Sequence, residues 1–320
     1  MENCNLKFGC IGVLMGGYSS EREVSLRSGK AILDALLAAG CDAKGLDIQS
    51  EDEREIKKQI QEAKIDVAFI ALHGKLGEDG KIQNILEQLN LPYTGSGVQA
   101  SQLSINKVLA HMIFNQNGIK TPEYVALHKS DEFVIEDIIK KLGGKFPLVV
   151  KPACEGSSIG IHFAESKETL LSAIESSWQF VDQVLIEQFI KGRELTVGIL
   201  GNDCLPVIEI KPKRDFFDYT AKYQKGLTDY LIPAPLPEEL AGKVQKLAFA
   251  AYKSLGCEDL SRVDVMLDEK DQPFVLEINT IPGFTETSLL PKAARQAGVD
   301  FQSLCLRLVG MAYGKSNQED

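Results

Sequence analysis

Between Phe8 and Leu89, apolar runs of strand length alternate with amphipathic segments of helix length, and few folds accommodate that order. Phe8 to Met15 is a glycine-dotted apolar run that reads as a buried strand, broken by Gly16-Gly17. A helix is predicted to begin near Ser19 or Ser20, where Ser20-x-x-Glu23 fits a capping box. Its apolar face is Ile32, Ala35, Leu36 and Ala39, and Gly40 ends it. A short strand at Ala43 to Ile48, a charged helix, a buried strand at Ile65 to Leu72 and a helix burying Ile82, Ile85, Leu86 and Leu89 complete the series. Strands joined through helices run parallel, so the pattern specifies an α/β sheet, placed at residues 1–103.

The chain has 320 residues, too many for one ordinary core, so two or three domains are expected. A helix at Ser104 to Gln116, strands near Tyr124, at Phe146 to Val150, Ile159 to Phe163 and Val184 to Ile190 form a second unit, 104–190. Strands at Leu195 to Leu200 and Leu205 to Ile210, a helix at Pro237 to Leu255 and a hairpin form a third, 191–320. The net charge of -10 is spread along the chain, which argues against nucleic acid or an anionic membrane as partner. No run approaches the ~20 apolar residues of a membrane span, and Met1 to Lys7 lacks the regions of a signal peptide. The cysteines number seven, an odd count without CxxC spacing, which reads as reduced thiols in a cytoplasmic protein.

The segment Ser261 to Asn279 carries the most chemistry. Two strand-like runs, Arg262–Leu267 and Pro273–Asn279, flank a polar turn. In a symmetric hairpin Val263 faces Ile278, Val265 faces Leu276 and Leu267 faces Phe274, an apolar set for the core. The other face then pairs Arg262 with Asn279 and Asp264 with Glu277. Opposed carboxylates lie about 4.5–5.5 Å apart at Cβ and repel, so a positive group is expected between them. Oxygen ligands in this number suit Mg²⁺, whose other positions phosphate oxygens and water fill. Arg262 is placed to stabilise charge on a transferred phosphoryl group or oxyanion. A solvated hairpin face with a surface salt bridge is the bland alternative, and the uncharged run Thr280 to Thr285 that follows favours metal binding.

Other segments stay open on their own. Lys151-Pro-Ala-Cys-Glu-Gly-Ser157-Ser158-Ile-Gly160 is either a phosphate cradle or an ordinary Gly/Ser hairpin. Glu21 stands at the carboxyl edge of a parallel sheet, where it could bind an ammonium; His73, at the same edge, is either a substrate contact or a structural histidine. His111, His128 and His162 have no such placement and are assigned no role, and nothing marks Cys154 as a nucleophile. Glu187 to Glu194 is an adenosine-binding hinge or a plain linker, and the aromatic, basic stretch within 212–226 is a lid or a packed surface loop.

Taken as a set, these motifs are recognisable. Gly-Gly-x-Ser-x-Glu-Arg-Glu-Val-Ser, Ala-Leu-His-Gly-x-x-Gly-Glu-Asp-Gly, Lys-Pro-x-x-Glu-Gly-Ser-Ser-x-Gly, Ala-Lys-Tyr, Arg-Val-Asp and Glu-x-Asn-Thr-x-Pro-Gly-x-Thr occur in order over nearly the whole chain. The sequence resembles the D-alanine–D-alanine ligases. That resemblance implies a three-domain ATP-grasp fold of α/β class, with a Rossmann-like first domain and ATP between the central and C-terminal domains. It implies that Glu21 binds the ammonium of the first D-alanine with His73 nearby, and that Lys107 and Lys151 hold ATP phosphates under Ser157 and Ser158. Glu187, Gln188, Phe189, Ile190, Glu194, Met266 and Leu276 would line the nucleotide site. Lys222 would reach the γ-phosphate, and Tyr223 would link to Ser157 and Glu21. Asp264, Glu277 and Asn279 would carry two Mg²⁺, for which Mn²⁺ substitutes. Arg262 and the Gly283 N–H would form the oxyanion site, and Ser288 and Leu289 would bind the second carboxylate. A homodimer is also implied. Gln188 stands where many relatives have Lys.

Three competing readings follow: a ligase making D-Ala-D-lactate or D-Ala-D-Ser, an ATP-binding regulatory module without turnover, and a dinucleotide-dependent oxidoreductase. Intact Arg262, Asp264, Glu277 and Asn279 oppose the second, and the third lacks a GxGxxG after the first strand.

Overall fold

The computed structural model describes residues 8–156, 160–212 and 228–316. The chain opens with β1 (Cys10–Gly16), α1 (Arg22–Ala38), β2 (Asp42–Ile48), α2 (Glu53–Ala63), β3 (Val67–Ile70) and α3 (Lys81–Gln88). The strands form a parallel sheet in the order β2-β1-β3, as the alternation requires. Every residue of β1 is buried, as befits a central strand covered on both faces. The expected capping box at Ser20 does not form. The helix begins at Arg22 with Glu21 as N-cap, and no side chain caps it. Gly16 and Gly17, at φ 89° and 81°, turn the chain so that Ser19 faces the loop after β3. The Ser19 hydroxyl donates to the His73 carbonyl at 2.7 Å and accepts the Glu21 N–H at 3.2 Å.

Where one helix was expected over 104–116 there are two, α4 (Val98–Ile105) and α5 (Lys107–Gln116). Asn106 is the break. Its backbone is extended, and its side chain accepts the Val108 and Leu109 N–H groups at 3.1 Å each, a better use of Asn than a helix interior. Lys107 thereby becomes the first residue of α5. Then follow β4 (Tyr124–His128), α6 (Ile135–Lys141), β5 (Leu148–Pro152), β6 (His162–Ala164), α7 (Lys167–Ser177) and β7 (Gln183–Gln188). Their sheet is antiparallel, in the order β4-β7-β5-β6.

The remaining elements are β8 (Gly192–Leu200), β9 (Asp203–Cys204), β10 (Ile208–Pro212), β11 (Thr228–Leu231), α8 (Glu238–Ser254), β12 (Leu260–Asp268), β13 (Pro273–Asn279), α9 (Leu289–Gln296) and α10 (Phe301–Ser316). The strands form a second antiparallel sheet, β11-β10-β8-β12-β13, with β9 paired to β8. Val244, Ala248, Ala251 and Tyr252 of α8 pack on Val197, Val263, Val265 and Val275, which leaves the opposite face of β8, β12 and β13 for the site. The last helix returns to the start of the chain: Leu304, Leu308 and Ala312 share a core with Ile11, Val13, Ile32 and Leu36. Among the described residues, no helix is long and apolar enough to cross a membrane. Cys10, Cys154, Cys204, Cys257 and Cys305 are free thiols, whereas Cys41 is disulfide-bonded, so the expectation of thiols alone does not hold there.

Candidate active site

The hairpin pairs Arg262 with Asn279 and Asp264 with Glu277, as its pattern predicts, and then departs from it. A bulge shifts the register, so Val265 meets Val275 instead of Leu276, and Leu267 meets Pro273 instead of Phe274. Val263, Val265, Leu267, Val275 and Ile278 fill the core, while Leu276 and Phe274 are only half-buried. A bulge sets two residues against one, and here it turns Leu276 to the polar side beside Glu277. The expected core placement of Leu276 and Phe274 is therefore wrong. Both turn to the face of the hairpin that carries Asp264 and Glu277. Met266 pairs with Phe274 on one side and Glu194 on the other, so all three line the same face.

Asp264 is the hub of that face. Arg262 donates Nε–H to its Oδ1 and an NH₂ hydrogen to its Oδ2, both at 2.8 Å. The Thr196 hydroxyl donates to Oδ1 at 2.6 Å, and the Asn279 amide to Oδ2 at 3.4 Å. Lys107 lies 3.5 Å from Glu277 and donates to the Glu155 carbonyl at 2.6 Å. The positive charge expected between the carboxylates is thus supplied by Arg262 and Lys107, one at each. Among the described residues, no group of three Asp, Glu, His or Cys gathers to hold a metal alone. Two carboxylates and an amide oxygen fit Mg²⁺, which needs few protein ligands when phosphates and water supply the rest.

The facing wall belongs to the central sheet. Lys151, at the end of β5, is buried and lies 2.5 Å from the Glu187 carboxylate of β7, itself only 1% exposed. His111 of α5, fully buried, approaches the same carboxylate at 3.4 Å. Burial pushes the pKa of the His111 ring below its usual value. Gln188 donates its N–H to the Glu123 carbonyl at 2.8 Å and ends β7. Phe189 packs edge-on against Phe163, with ring centroids 6.0 Å apart, and Ile190 beside it is half-buried.

A third cluster closes the cleft at the parallel sheet. Glu21 is buried, and its Oε2 lies so near Gly74 and Gly156 that a Cβ on them would stand 2.9 and 3.1 Å from it. The His73 ring is engaged at both nitrogens. Nδ1 is 2.9 Å from the Ile281 carbonyl, which only accepts, so Nδ1 carries the proton. Nε2 then accepts from the Ser28 hydroxyl at 3.0 Å, and Ser28 accepts the Phe284 N–H at 3.2 Å. His73 therefore works as a bracket on the loop around Gly283. A Cβ on Gly283 would lie 3.5 Å from the Ser288 hydroxyl, so the two sit together at the start of α9, with Leu289 its first residue. Free N–H groups at such a start suit a carboxylate.

Ser157, Ser158, Lys222 and Tyr223 lie outside the described residues, as does nearly all of the 212–226 lid. Cys154 is surface-exposed, and desolvation, outweighing the charges of Lys107 and Lys75, raises its thiol pKa. Nothing in the sequence marks Thr196 or Ser28, and His111, assigned no role from the sequence, meets Glu187 and the Leu276 carbonyl. Thr196 alternates with Leu195 and Val197 in an apolar strand, and only its register with Asp264 reveals it.

A parallel first sheet followed by two antiparallel sheets, one with a buried lysine and the other with two opposed carboxylates, is the architecture of the ATP-grasp ligases. Solved structures agree. The chain superposes on a Bacillus anthracis D-alanine–D-alanine ligase complexed with ATP with a TM-score of 0.85 at 35% identity, covering 97% of this chain and 99% of that one. A VanG D-Ala:D-Ser ligase from Enterococcus faecalis matches with a TM-score of 0.80 at 30% identity, covering 96% and 100%. A D-alanine–D-alanine ligase of Pelotomaculum thermopropionicum is 45% identical over 94% of this chain and 96% of its own length. The family model D-ala D-ala ligase C-terminus matches residues 113–310, and D-ala D-ala ligase N-terminus matches residues 40–96. The chain belongs to the D-alanine–D-alanine ligase family.

Proposed function

We infer that the chain joins two D-alanines into D-alanyl-D-alanine at the expense of ATP, for peptidoglycan precursor synthesis in the cytoplasm. The observation that carries this reading is the hairpin that sets Arg262 and Asp264 opposite Asn279 and Glu277, with Lys107 3.5 Å from Glu277 and Lys151 paired with Glu187 on the central sheet. Lys107 and Lys151 would hold the phosphates, and Glu187, Phe189, Ile190, Glu194, Met266 and Leu276 the adenosine. Two Mg²⁺ on Asp264, Glu277 and Asn279 would neutralise phosphate charge. Glu21 would bind the first ammonium and orient its carboxylate, whose oxygen attacks the γ-phosphorus while ADP leaves. The second amine, its carboxylate held at Ser288 and Leu289, attacks the acyl carbon. The Gly283 N–H and Arg262 receive the oxyanion charge, the C–O bond breaks, and phosphate departs with the proton that the amine gives up. We place the substrate domain at 1–103, the central domain at 104–190 and the catalytic domain at 191–320, and take the working form as a homodimer.

The test is Mg²⁺-dependent phosphate release from ATP with D-alanine, L-alanine, D-serine, D-lactate or no addition, with the products weighed by mass spectrometry. Release with D-alanine and the mass of its dipeptide are expected. The likeness to the VanG ligase makes a mixed D-Ala-D-Ser product the specific competing outcome. ATP binding without release under any addition would overturn the ligase reading in favour of a regulatory module.

A further inference from the structure

His111 joins the two walls of the cleft, although nothing in its sequence context marks it. It sits on α5, facing β7 on one side and β13 on the other. Its Nε2 lies 3.1 Å from the Leu276 carbonyl oxygen and 3.4 Å from Glu187 Oε1. Leu276 is the extra residue of the bulge, and β13 is the edge strand of its sheet. An edge strand with a bulge leaves backbone groups that no neighbouring strand satisfies. Here the chain beside β13 serves in place of that strand: the Lys120 carbonyl accepts the Val275 N–H at 2.8 Å, and His111 meets the next carbonyl.

We propose that His111 is a positioning residue for the nucleotide and metal site, its Nε2–H holding the bulge carbonyl of Leu276 so that Leu276 and Glu277 face the cleft. The proposal rests on the ligase reading above. The chemistry of the ring agrees with it. A carbonyl only accepts, so the proton is on Nε2. Nδ1 is buried without a partner, which suits a bare lone pair far better than an N–H. The ring plane is fixed by an edge contact with Tyr124, centroids 5.1 Å apart at 86°, and by Phe114 at 6.0 Å. Among the described residues Glu187 Oε1, 3.4 Å from Nε2, takes no hydrogen bond, so the one N–H belongs to the Leu276 carbonyl. Through that bond, the direction of Leu276 and Glu277 is set.

The test compares the full-length wild type with His111→Gln, whose amide can donate from nearly the same place, and His111→Phe, which keeps the ring and loses the donor. ATP affinity is measured by calorimetry with Mg²⁺ and with EDTA, alongside KM for ATP and for D-alanine. In His111→Phe the gain in ATP affinity brought by Mg²⁺ should shrink about tenfold, KM for ATP should rise in step, and KM for D-alanine should stay within about twofold. His111→Gln should recover most of the gain. A wild-type Mg²⁺ gain in His111→Phe overturns the proposal, and equal losses in both variants, tracking their melting temperatures, reduce His111 to packing. If His111→Phe does not fold, ¹⁵N-histidine spectra of the wild type decide: an Nε2–H tautomer at His111 is required, and an Nδ1–H tautomer overturns it. Mg-ATP binding in a wild type that releases no phosphate with D-alanine would fail the ligase reading alone.

Discussion

Replacing Thr196 with valine tests whether the polar face of β8 serves the metal site. Thr196 is fully buried and has one hydroxyl proton, directed at Asp264 Oδ1 at 2.6 Å, with the Val263 carbonyl at 3.2 Å the weaker alternative. Valine keeps the branch and the volume and removes only that proton. A hydrogen bond to a charged group contributes about 1.5–3 kcal/mol. Asp264 keeps Arg262 at two positions and Asn279 at a third, so the loss belongs at the low end, about 1.5 kcal/mol of stability. The larger effect should fall on metal binding. A group that orients a ligand costs about 10–100-fold in affinity when removed, and with Arg262 still in place about tenfold is expected. Thr196→Ser is the control: it loses a methyl group, about 0.8 kcal/mol, and keeps the proton. The assay is a Mg²⁺ titration of D-alanine-dependent phosphate release at saturating ATP, with urea unfolding in parallel. Half-saturating Mg²⁺ unchanged in Thr196→Val, or raised equally in Thr196→Ser, would refute the reasoning.

Glu277→Gln should abolish phosphate release while leaving urea unfolding nearly unchanged, because it removes a metal ligand and also the repulsion from Asp264 across the hairpin; full activity would end the metal assignment. Gly74→Ala should destabilise the fold by about 1–2 kcal/mol and raise KM for D-alanine, since Gly74 sits at φ 67° and the new Cβ would press on Glu21 Oε2; an unchanged KM would remove Glu21 from the ammonium site. The Arg22 guanidinium, with two 2.8 Å bonds to Asp47, holds that carboxyl below its usual pKa. A depressed carboxylate stabilises the fold above its unfolded pKa, about 3.9, and loses that contribution as pH falls through the lower folded value. The difference in melting temperature between the wild type and Arg22→Met should therefore be constant at neutral pH and shrink below about pH 4; a difference independent of pH would show that packing of the Arg22 stem accounts for it.

Periodicity made the parallel sheet legible, because apolar spacing of period two and 3.6 is local information. The pairing of Asp264 with Glu277 was legible for the same reason, since a hairpin's register follows from its turn. The bulge was not. A one-residue slip at Leu276 is invisible in a run whose neighbours are all apolar, and it is held by groups far away in sequence, among them His111. The break at Asn106 was local, a known capping residue, and was passed over because the apolar pattern runs through it. Ser28 and Thr196 lie beyond any such reading, for each works by meeting a partner from another element.

The core shared by α10 and the first sheet has a consequence for the chain as it is made. Synthesis runs from the amino end, so β1 and α1 emerge long before Leu304, Leu308 and Ala312 exist to cover them. Until then, part of the apolar surface around Ile32 and Leu36 faces water, and the nascent chain has an adhesive flank that later elements, α10 among them, cover. Contacts of such long sequence separation slow folding, since the loop they close must be ordered first. The same seam brings the first and last described segments together, with the Tyr313 hydroxyl donating to the Phe8 carbonyl. A circular permutant joining these ends and opened at the Asp268–Gln272 turn would place α10 immediately before β1. Its first sheet would then be covered almost as soon as it was translated.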